Sequence, residues 1–600
     1  MEFETLNQLL VWAAETYQKP DALMFKKGGS WHRISSADWL LRSRRLALGF
    51  HEIGIRRGDR VALLSENRHE WFLVDAALQI LGAANVPLYA TLPGPQVSYI
   101  VRDSGARLVV VSDRGQQEKI GGVRSSLTKV ERIISLDTPL GEAVAITSLE
   151  EKGREREKSD PDLATKLGAE VTPDDLASII YTSGTTGEPK GVMLTHSNFV
   201  SNVKASLEVL PVGRDDVALS ALPYCHVFER MVAHYLFPAA GATVAIAESL
   251  EHVVENIGEI RPTVMTMVPR FYEKLYAKVK ESVEKGSAVK KRIFHWAVAT
   301  GSAHGEFRLR GESAPPGLEL KYKMATALVF GKLHRRLGGR LRFFVSGSAP
   351  LPTEIAKFFW AAGITIVEGY GLTETSPVIS VNRPDRIRFG TVGQLIPGVE
   401  VEIAEDGEIL VRGPNVMKGY WGQDEASRET IDERGFLHTG DIGELSSDGF
   451  LRITDRKKDI IITSGGKNIA PQPIEGLLKT NAFIAEVVVV GNRRRFPSAL
   501  VVPDFERLTA WCRENSLPSS DRHEMASHPK VRELINEQVE NQCSGLPQHE
   551  KIKKVYVLAE EFSIEGGELT PTMKVKRSVV ESRYKHLIDE LYGESERAFT

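Results

Sequence analysis

The run SGTTGEPKG, residues 183–191, interleaves Gly184, Gly187 and Gly191 with the hydroxyls of Ser183, Thr185 and Thr186 and reaches Lys190. Glycines let successive backbone N–H groups converge on one anion, the hydroxyls add donors and the lysine adds a point charge. These are the parts of a phosphate-binding loop. It is not a Walker A loop, because Lys190 follows Glu188-Pro189 and precedes Gly191, which leaves no Ser or Thr at the adjacent magnesium-ligand position. A flexible turn uses the same residues, so the loop alone does not fix a function. Further along, GYGLTE at 369–374 puts Gly369, Tyr370 and Glu374 where backbone can approach a flat ring, an aromatic can stack on it and a carboxylate can hold Mg²⁺. Asp441 in TGD is an acceptor-only carboxylate suited to a pair of hydroxyl donors. Taken singly, Glu374, Asp441, Arg456, His226 and Lys574 are also ordinary surface charges, ion-pair members or a structural histidine.

The elements that must position these residues are legible around them. From Arg60 to Leu250, β-branched runs (RVALLS, ANVPLY, ARLVVVS, ASIIYT, TVAIA) alternate with helical patterns such as Glu70 to Leu81, which implies crossover units and mostly parallel sheet. The phosphate loop is expected to lead into a helix capped by Ser197. A second set follows with VMTMVP, LRFFVSGSAPL, a helix from Thr353 to Ala362 capped by Thr353 and closed by Gly363, and ITIVEGYG. The fold class expected is α/β, with a large domain of doubly wound sheets. After Gly390, short segments separated by Gly and Pro read as a small antiparallel sheet or barrel, with Asp448-Gly449 at a tight turn. Beyond DRKKD at 455–459, strands at IIIT and EVVVVG alternate with helices at Pro473 to Leu478 and Val531 to Asn541, which suggests a smaller α+β domain. The division expected is 1–455, containing a β-barrel subdomain at about 388–455, and 456–600.

Six hundred residues exceed what one core supports, since cores stop growing near about 250–300 residues. Apolar residues at 42% and charged residues at 26% exclude wholesale disorder, and 76 basic against 79 acidic side chains leave no global field for nucleic acid. Cys225, Cys512 and Cys543 are widely spaced without CxxC, which argues against a disulfide framework or structural zinc. The start MEFETLNQLLVWAAETY lacks the basic residues of an export signal, and Met231 to Ala247 carries His234, Pro238 and Gly241 and reads as a helix end followed by a buried strand. A cytoplasmic protein is expected. One stretch departs from the even balance: residues 278–340 hold 14 Lys and Arg against five Asp and Glu. A solvated insertion is the plain reading, and weak peripheral contact with the anionic inner face of a membrane is the alternative.

YTSGTTGEPKG, GYGLTETSP, TGD, DRKKDIIITSGGKNI and PTMKVKR, in this order, resemble the signature set of adenylate-forming enzymes, the superfamily of acyl-CoA synthetases, adenylation domains and luciferases. LPYCHVFE at Leu222, MVPRFYEKLY at Met267 and the basic insertion further resemble long-chain fatty acid–CoA ligases. The resemblance implies a mobile C-terminal domain on a hinge at Lys458. It implies ATP-dependent activation of a fatty acid as acyl-adenylate, thioesterification to coenzyme A, and release of AMP and pyrophosphate. It places nucleotide contacts at Thr182, Ser183, Gly184, Thr185, Thr186, Gly187, Lys190, Ser348, Ala349, Glu368, Gly369, Tyr370, Thr373, Asp441 and Arg456. Mg²⁺ falls to Thr182 and Glu374, the catalytic lysine is Lys574, the residue beside the acyl carboxylate is His226, and Gly465 and Gly466 border the thiol channel. Met573 stands where many relatives have glycine. A ligase for aryl or short-chain acids, transfer to a carrier protein, and a non-catalytic nucleotide-binding protein are the alternatives, with oligomeric state left open.

Overall fold

The structure, a computed structural model, describes residues 2–182, 188–564, 566–570 and 574–596. Two mixed sheets carry the N-terminal part. In the nine-stranded sheet, Thr243–Ile246, Val217–Ser220, Val264–Met267, Phe343–Ser346 and Thr365–Gly371 run parallel in that order. In the eight-stranded sheet, Leu176–Thr182, Ala84–Leu88, Arg60–Leu64, Leu108–Val111 and Arg132–Ser135 do the same. Helices cover both faces, so the inner strands are buried on both sides and read as unbroken apolar runs, as Val61 to Leu64 do. In the first sheet the carboxyl ends of the parallel strands share one edge. The chain segments that leave them, at His226, Pro269, Ser348 and Glu374, therefore collect there, where open α/β sheets bind ligands.

Four local expectations are corrected. The phosphate loop joins an antiparallel pair, with Thr182 opposite Lys190, before helix His196–Val209 begins. That helix is capped by Thr195, whose side chain accepts from Asn198 N–H in a capping box, and not by Ser197. Helix Thr353–Ala361 has Pro352 at its N-cap and no side-chain cap, because Thr353 is already helical. The expected barrel takes the form of a four-stranded antiparallel sheet, Glu400–Ile403, Glu408–Arg412, Leu437–Leu445 and Leu451–Arg456, whose outer strands are not paired with each other. The run from Met231 divides into a π-helical turn Arg230–Leu236, a short helix Phe237–Ala239 and the buried strand Thr243–Ile246. No described helix is long and apolar enough to cross a membrane.

The basic stretch is a helical crossover between strands Val264–Met267 and Phe343–Ser346, made of Pro269–Glu284, Ala288–Leu309, Pro316–Ala325 and, through a π turn, Gly331–Arg336. From Ile461 to Tyr592 the chain builds a separate hydrophobic cluster around strands Ile484–Val490, Ser498–Pro503 and Val555–Val557. Helices Ser36–Glu52 and Ile146–Ser159 cross closely through two glycines. A Cβ would lie 2.1 Å from the Leu149 carbonyl oxygen at Gly49 and 1.7 Å from that of Arg45 at Gly153.

The two sheets are tied by a buried polar cluster. Arg230 Nη2 donates to Asp75 Oδ1 at 2.5 Å, Nη1 donates to Ser178, and Tyr235 OH donates to Asp75 Oδ2 at 2.7 Å. Burial alone would push the Asp75 carboxyl up, but Arg230 and its other partners hold it below the ordinary range. Because Arg230 lies four residues after His226, this pair also anchors the turn that presents the histidine. Arg230→Ala leaves Asp75 charged and unpaired in the core and is expected to destabilise the N-terminal part by about 3–5 kcal/mol in denaturant unfolding, with Arg230→Met plus Asp75→Leu costing less. A loss below about 1 kcal/mol would mean that solvent reaches the pair.

Candidate active site

The site is assembled across elements far apart in sequence. Strand Lys190–Thr195 pairs on one side with Leu176–Thr182 and on the other with Gly419–Tyr420, which sets the Lys190 ammonium 4.8 Å from the Tyr420 ring centroid. Tyr420 OH donates to Glu374 Oε1 at 3.0 Å. Glu374 sits in the short 3₁₀ turn Thr373–Thr375 that follows strand Thr365–Gly371. Gly371 is required at the junction, because a Cβ there would meet the Pro377 carbonyl oxygen at 1.8 Å. Burial pushes the Glu374 carboxyl above its ordinary value, and no Lys, Arg or His pairs with it among the described residues. Thr182, at the end of its strand, is partly exposed. Ser183, Gly184, Thr185, Thr186 and Gly187 lie outside the described residues.

Beside this group, Tyr370 OH donates to Asp441 Oδ2 at 2.7 Å, while Arg456 Nε stands 3.3 Å from Asp441 Oδ1. Asp441 and Arg456 are opposite each other in the antiparallel ladder of the small sheet. Burial raises the Asp441 carboxyl against the pull of Arg456 and the Tyr370 hydroxyl. Ser348, at φ +70, turns the chain just after strand Phe343–Ser346, with Ala349 exposed next to it. Glu368 and Gly369 belong to the strand that carries Tyr370, and burial pushes the Glu368 carboxyl up to about 8, against a hydrogen bond from the Leu351 backbone. A neutral Glu368 adds no negative charge to the cleft at pH 7.

His226 and Lys574 come from opposite sides. His226 caps helix Val227–Glu229, its Nδ1 accepting from Phe228 N–H at 3.3 Å, which assigns the proton of the neutral ring to Nε2. Burial, with a further push from Lys574, lowers its pKa to about 3, so the ring is a neutral donor. Lys574 arrives from the C-terminal part and is half-buried; desolvation and the Arg456 charge lower its pKa to about 8, opposed by Asp441. Lys574, His226, Asp441 and Arg456 therefore share one cleft. Lys458 lies exposed in the turn after strand Leu451–Arg456. Gly465 and Gly466 form an exposed turn between Ile461–Ile462 and Asn468–Ile469 that is hydrogen-bonded through Ser464 to Arg494 of the same part, and the structure does not bring them to the cleft.

Two residues beside the site have contacts that the sequence does not signal, although Glu229 ends the LPYCHVFE run. Tyr420 bridges Lys190 and Glu374 only because strands more than 200 residues apart pair. Glu229 is buried between the hydroxyls of Ser220 and Thr266, and its carboxyl is pushed up by burial to about 7. Both depend on long-range strand order, which no local pattern encodes.

Residues 10–421 match the family described as AMP-binding enzyme, and residues 458–596 match the AMP-binding enzyme C-terminal domain. The chain is 35% identical over 582 residues to the long-chain-fatty-acid–CoA ligase FadD15 of Mycobacterium bovis, covering 96% of this chain and 95% of the relative. It is 30% identical over 628 residues to the human long-chain-fatty-acid–CoA ligase ACSBG1, covering 98% and 85%. Among solved structures, the adenylation domain of a carboxylate reductase from Mycobacterium chelonae superposes with a TM-score of 0.76 at 22% identity, covering 98% of this chain and 91% of that one. The anthranilate CoA ligase AuaEII superposes at 0.72 and 20%, covering 96% and 97%. These last two share the fold.

A lysine held near 8 loses its proton well before its exposed neighbours. Acylation of Lys574 by a small amine-reactive reagent, followed by peptide mass spectrometry, is expected to rise through a midpoint near pH 8, because only the neutral amine reacts, with exposed lysines rising near about 10.4. A Lys574 midpoint equal to theirs would place its ammonium in water.

Proposed function

The chain belongs to the AMP-binding enzyme family, and we propose that it is a long-chain fatty acid–CoA ligase whose cleft activates the acid as an acyl-adenylate before passing it to coenzyme A. The observation that carries the reading is the cleft that gathers Lys574 from the C-terminal part and His226, Asp441 and Arg456 from the N-terminal part. The long-chain substrate is supported by relatives of that name at 30–35% identity over nearly the whole chain.

In the first half-reaction a carboxylate oxygen of the acid attacks the α-phosphorus of ATP, and the bond to the bridging oxygen breaks as pyrophosphate leaves. An anion must approach a polyanion, so the task is charge neutralisation and positioning. Lys574 bridges the carboxylate and the α-phosphate, with His226 Nε2–H donating to the carboxylate. Lys190, held over Tyr420, and the loop at 183–187 take the β- and γ-phosphates. Tyr370 stacks on the base, with Gly369, Thr373, Ser348 and Ala349 beside it, and the ribose hydroxyls replace Tyr370 OH and Arg456 around Asp441. In the second half-reaction the thiol sulfur of coenzyme A attacks the acyl carbon, the C–S bond forms as the bond from that carbon to the phosphate oxygen breaks, AMP leaves with that electron pair, and the thiol proton passes to solvent. For this step the C-terminal part turns about Lys458 and presents Gly465 and Gly466, whose missing Cβ atoms leave room for the pantetheine arm.

The residues fit Mg²⁺. Glu374 is a half-buried carboxylate with no ion pair among the described residues, Thr182 adds a hydroxyl, and the described residues contain no cluster of three ligating side chains. A site with one carboxylate is what Mg²⁺ uses when substrate phosphates and water complete its shell, and the ion supplies charge neutralisation at the phosphates when bound.

Acid-dependent AMP formation, measured with and without coenzyme A over a chain-length series, tests the reading: long acids are expected to be preferred and the thioester to accumulate only with coenzyme A. Lys574→Ala is expected to lower adenylation on the order of 100- to 1000-fold while leaving thioester formation from supplied acyl-adenylate largely intact. Equal loss of both steps, or preference for aryl or short acids, would overturn the respective part.

The reading includes peripheral docking on anionic lipid, from which a fatty acid substrate partitions. Leu320, Met324 and Leu328, at 62%, 49% and 57% exposure, line one face of the crossover helices at helical spacing, and Lys321 and Lys323 flank it. That segment is only half buried, with Ala325 and Phe330 in the core. Each basic residue near an anionic surface contributes about 1 kcal/mol, which fades within a Debye length of about 8 Å. Sedimentation with phosphatidylserine vesicles is expected at low salt and not at high salt. It should be weakened by Lys290→Glu, Lys291→Glu and Arg292→Glu together, and by Leu320→Ser with Leu328→Ser. No binding at low salt would remove the membrane from the reading.

A further inference from the structure

Helix Pro269–Glu284 carries charges of the wrong sign at both ends for its own dipole. Arg270 stands in the first turn, where the helix end is positive, and Glu281 and Glu284 stand in the last turn, where it is negative. A helix stabilised for itself would reverse them. Each end has one partner on its own segment, Glu273 at 3.6 Å from Arg270 and Lys285 at 2.7 Å from Glu281, and each end also reaches the C-terminal part. Arg270 Nη1 donates to the Ala485 carbonyl at 3.0 Å and lies 3.8 Å from Glu486 Oε1. Glu486 is in turn ion-paired with Lys479. At the other end, Arg507 reaches Glu284 at 3.4 Å and Glu281 at 3.7 Å, with its guanidinium 5.4 Å from the Phe483 ring centroid. The helix spans about 24 Å, so the two contacts are far enough apart to fix an orientation and not only a distance.

We propose that helix Pro269–Glu284 is a docking rail whose inverted end charges select the pose in which Lys574 enters the cleft. The inference rests on the reading above, in which that pose performs adenylation and a rotated one performs thioester formation. Residues Arg270 and Arg507 touch no substrate in it; they are positioning residues that act through Lys574. Contacts made of charges and one backbone carbonyl suit an interface that must open in every turnover. Ion pairs at a partly wet surface are weak and directional, whereas a greasy patch of equal size would hold the two parts together through both steps.

The test uses two readouts on the full chain. Cys225, Cys512 and Cys543 are all buried, so spin labels at Lys278→Cys and Glu514→Cys, both exposed positions, report the separation of the rail from helix Phe505–Glu514. Arg270→Ala with Arg507→Ala is expected to move this distance distribution toward longer, broader values. It should also lower acid-dependent pyrophosphate exchange about tenfold or more while thioester formation from supplied acyl-adenylate is unchanged or faster. Arg507→Glu combined with Glu281→Arg and Glu284→Arg should restore both readouts. An unmoved distance distribution, or equal loss of the two half-reactions, overturns the rail. A parent that shows no acid-dependent exchange would instead overturn the proposed activity, with the distance readout still deciding the docking.

Discussion

An ammonium group drawn partly out of water needs anions, and the rest of this architecture follows from where Lys574 is expected to meet them. In the closed arrangement its charged neighbours are Arg456, which repels it, and Asp441, whose two oxygens already face Tyr370 and Arg456. The protein thus supplies a cation without its full complement of negative charge. In the proposed reading a triphosphate and a fatty carboxylate are the counter-ions, which would link closure and substrate binding through one side chain. Burial also raises two further carboxyls, Glu368 to about 8 and Glu229 to about 7, which reduces their negative charge near neutral pH.

The cleft can be sparse because its walls are stiff. Parallel strands buried on both faces deliver His226, Ser348 and Glu374 to one edge, and the Arg230–Asp75 pair fixes the turn beneath the histidine from below. Tyr420 performs the matching service on the other wall, where one ring faces the Lys190 cation and its hydroxyl restrains the Glu374 carboxylate. Each converts long-range strand order into the orientation of a neighbouring side chain.

Much of this was legible in the residues. The alternation of β-branched runs with helical patterns gives the parallel sheets because burial on both faces demands continuous apolar strands, and the Gly-Tyr-Gly run marks the strand end because only glycine fits against Pro377. What the residues withheld is contact between distant segments. Thr195 rather than Ser197 caps its helix because an unforeseen strand, Lys190–Thr195, uses up the intervening residues. Tyr420 is silent for the same reason, being one aromatic in a Gly-Tyr-Trp run until strand pairing puts it between Lys190 and Glu374. The inverted charges of helix Pro269–Glu284 were visible as charges, but their sense appears only once the C-terminal part lies beside them.

The crossing of helices Ser36–Glu52 and Ile146–Ser159 has a consequence for how this chain can change over time. At Gly49 and Gly153 backbone meets backbone, with carbonyl oxygens occupying the space of the absent side chains, so Cα–H groups face C=O groups directly. Side chains fasten the rest of the crossing, with Arg42 paired to Glu150, Arg45 to Glu157 and Arg156 to Glu52. A side chain added at either glycine would push the two backbones apart and part these pairs together, whereas positions of Ile146–Ser159 outside the contacts can change one at a time.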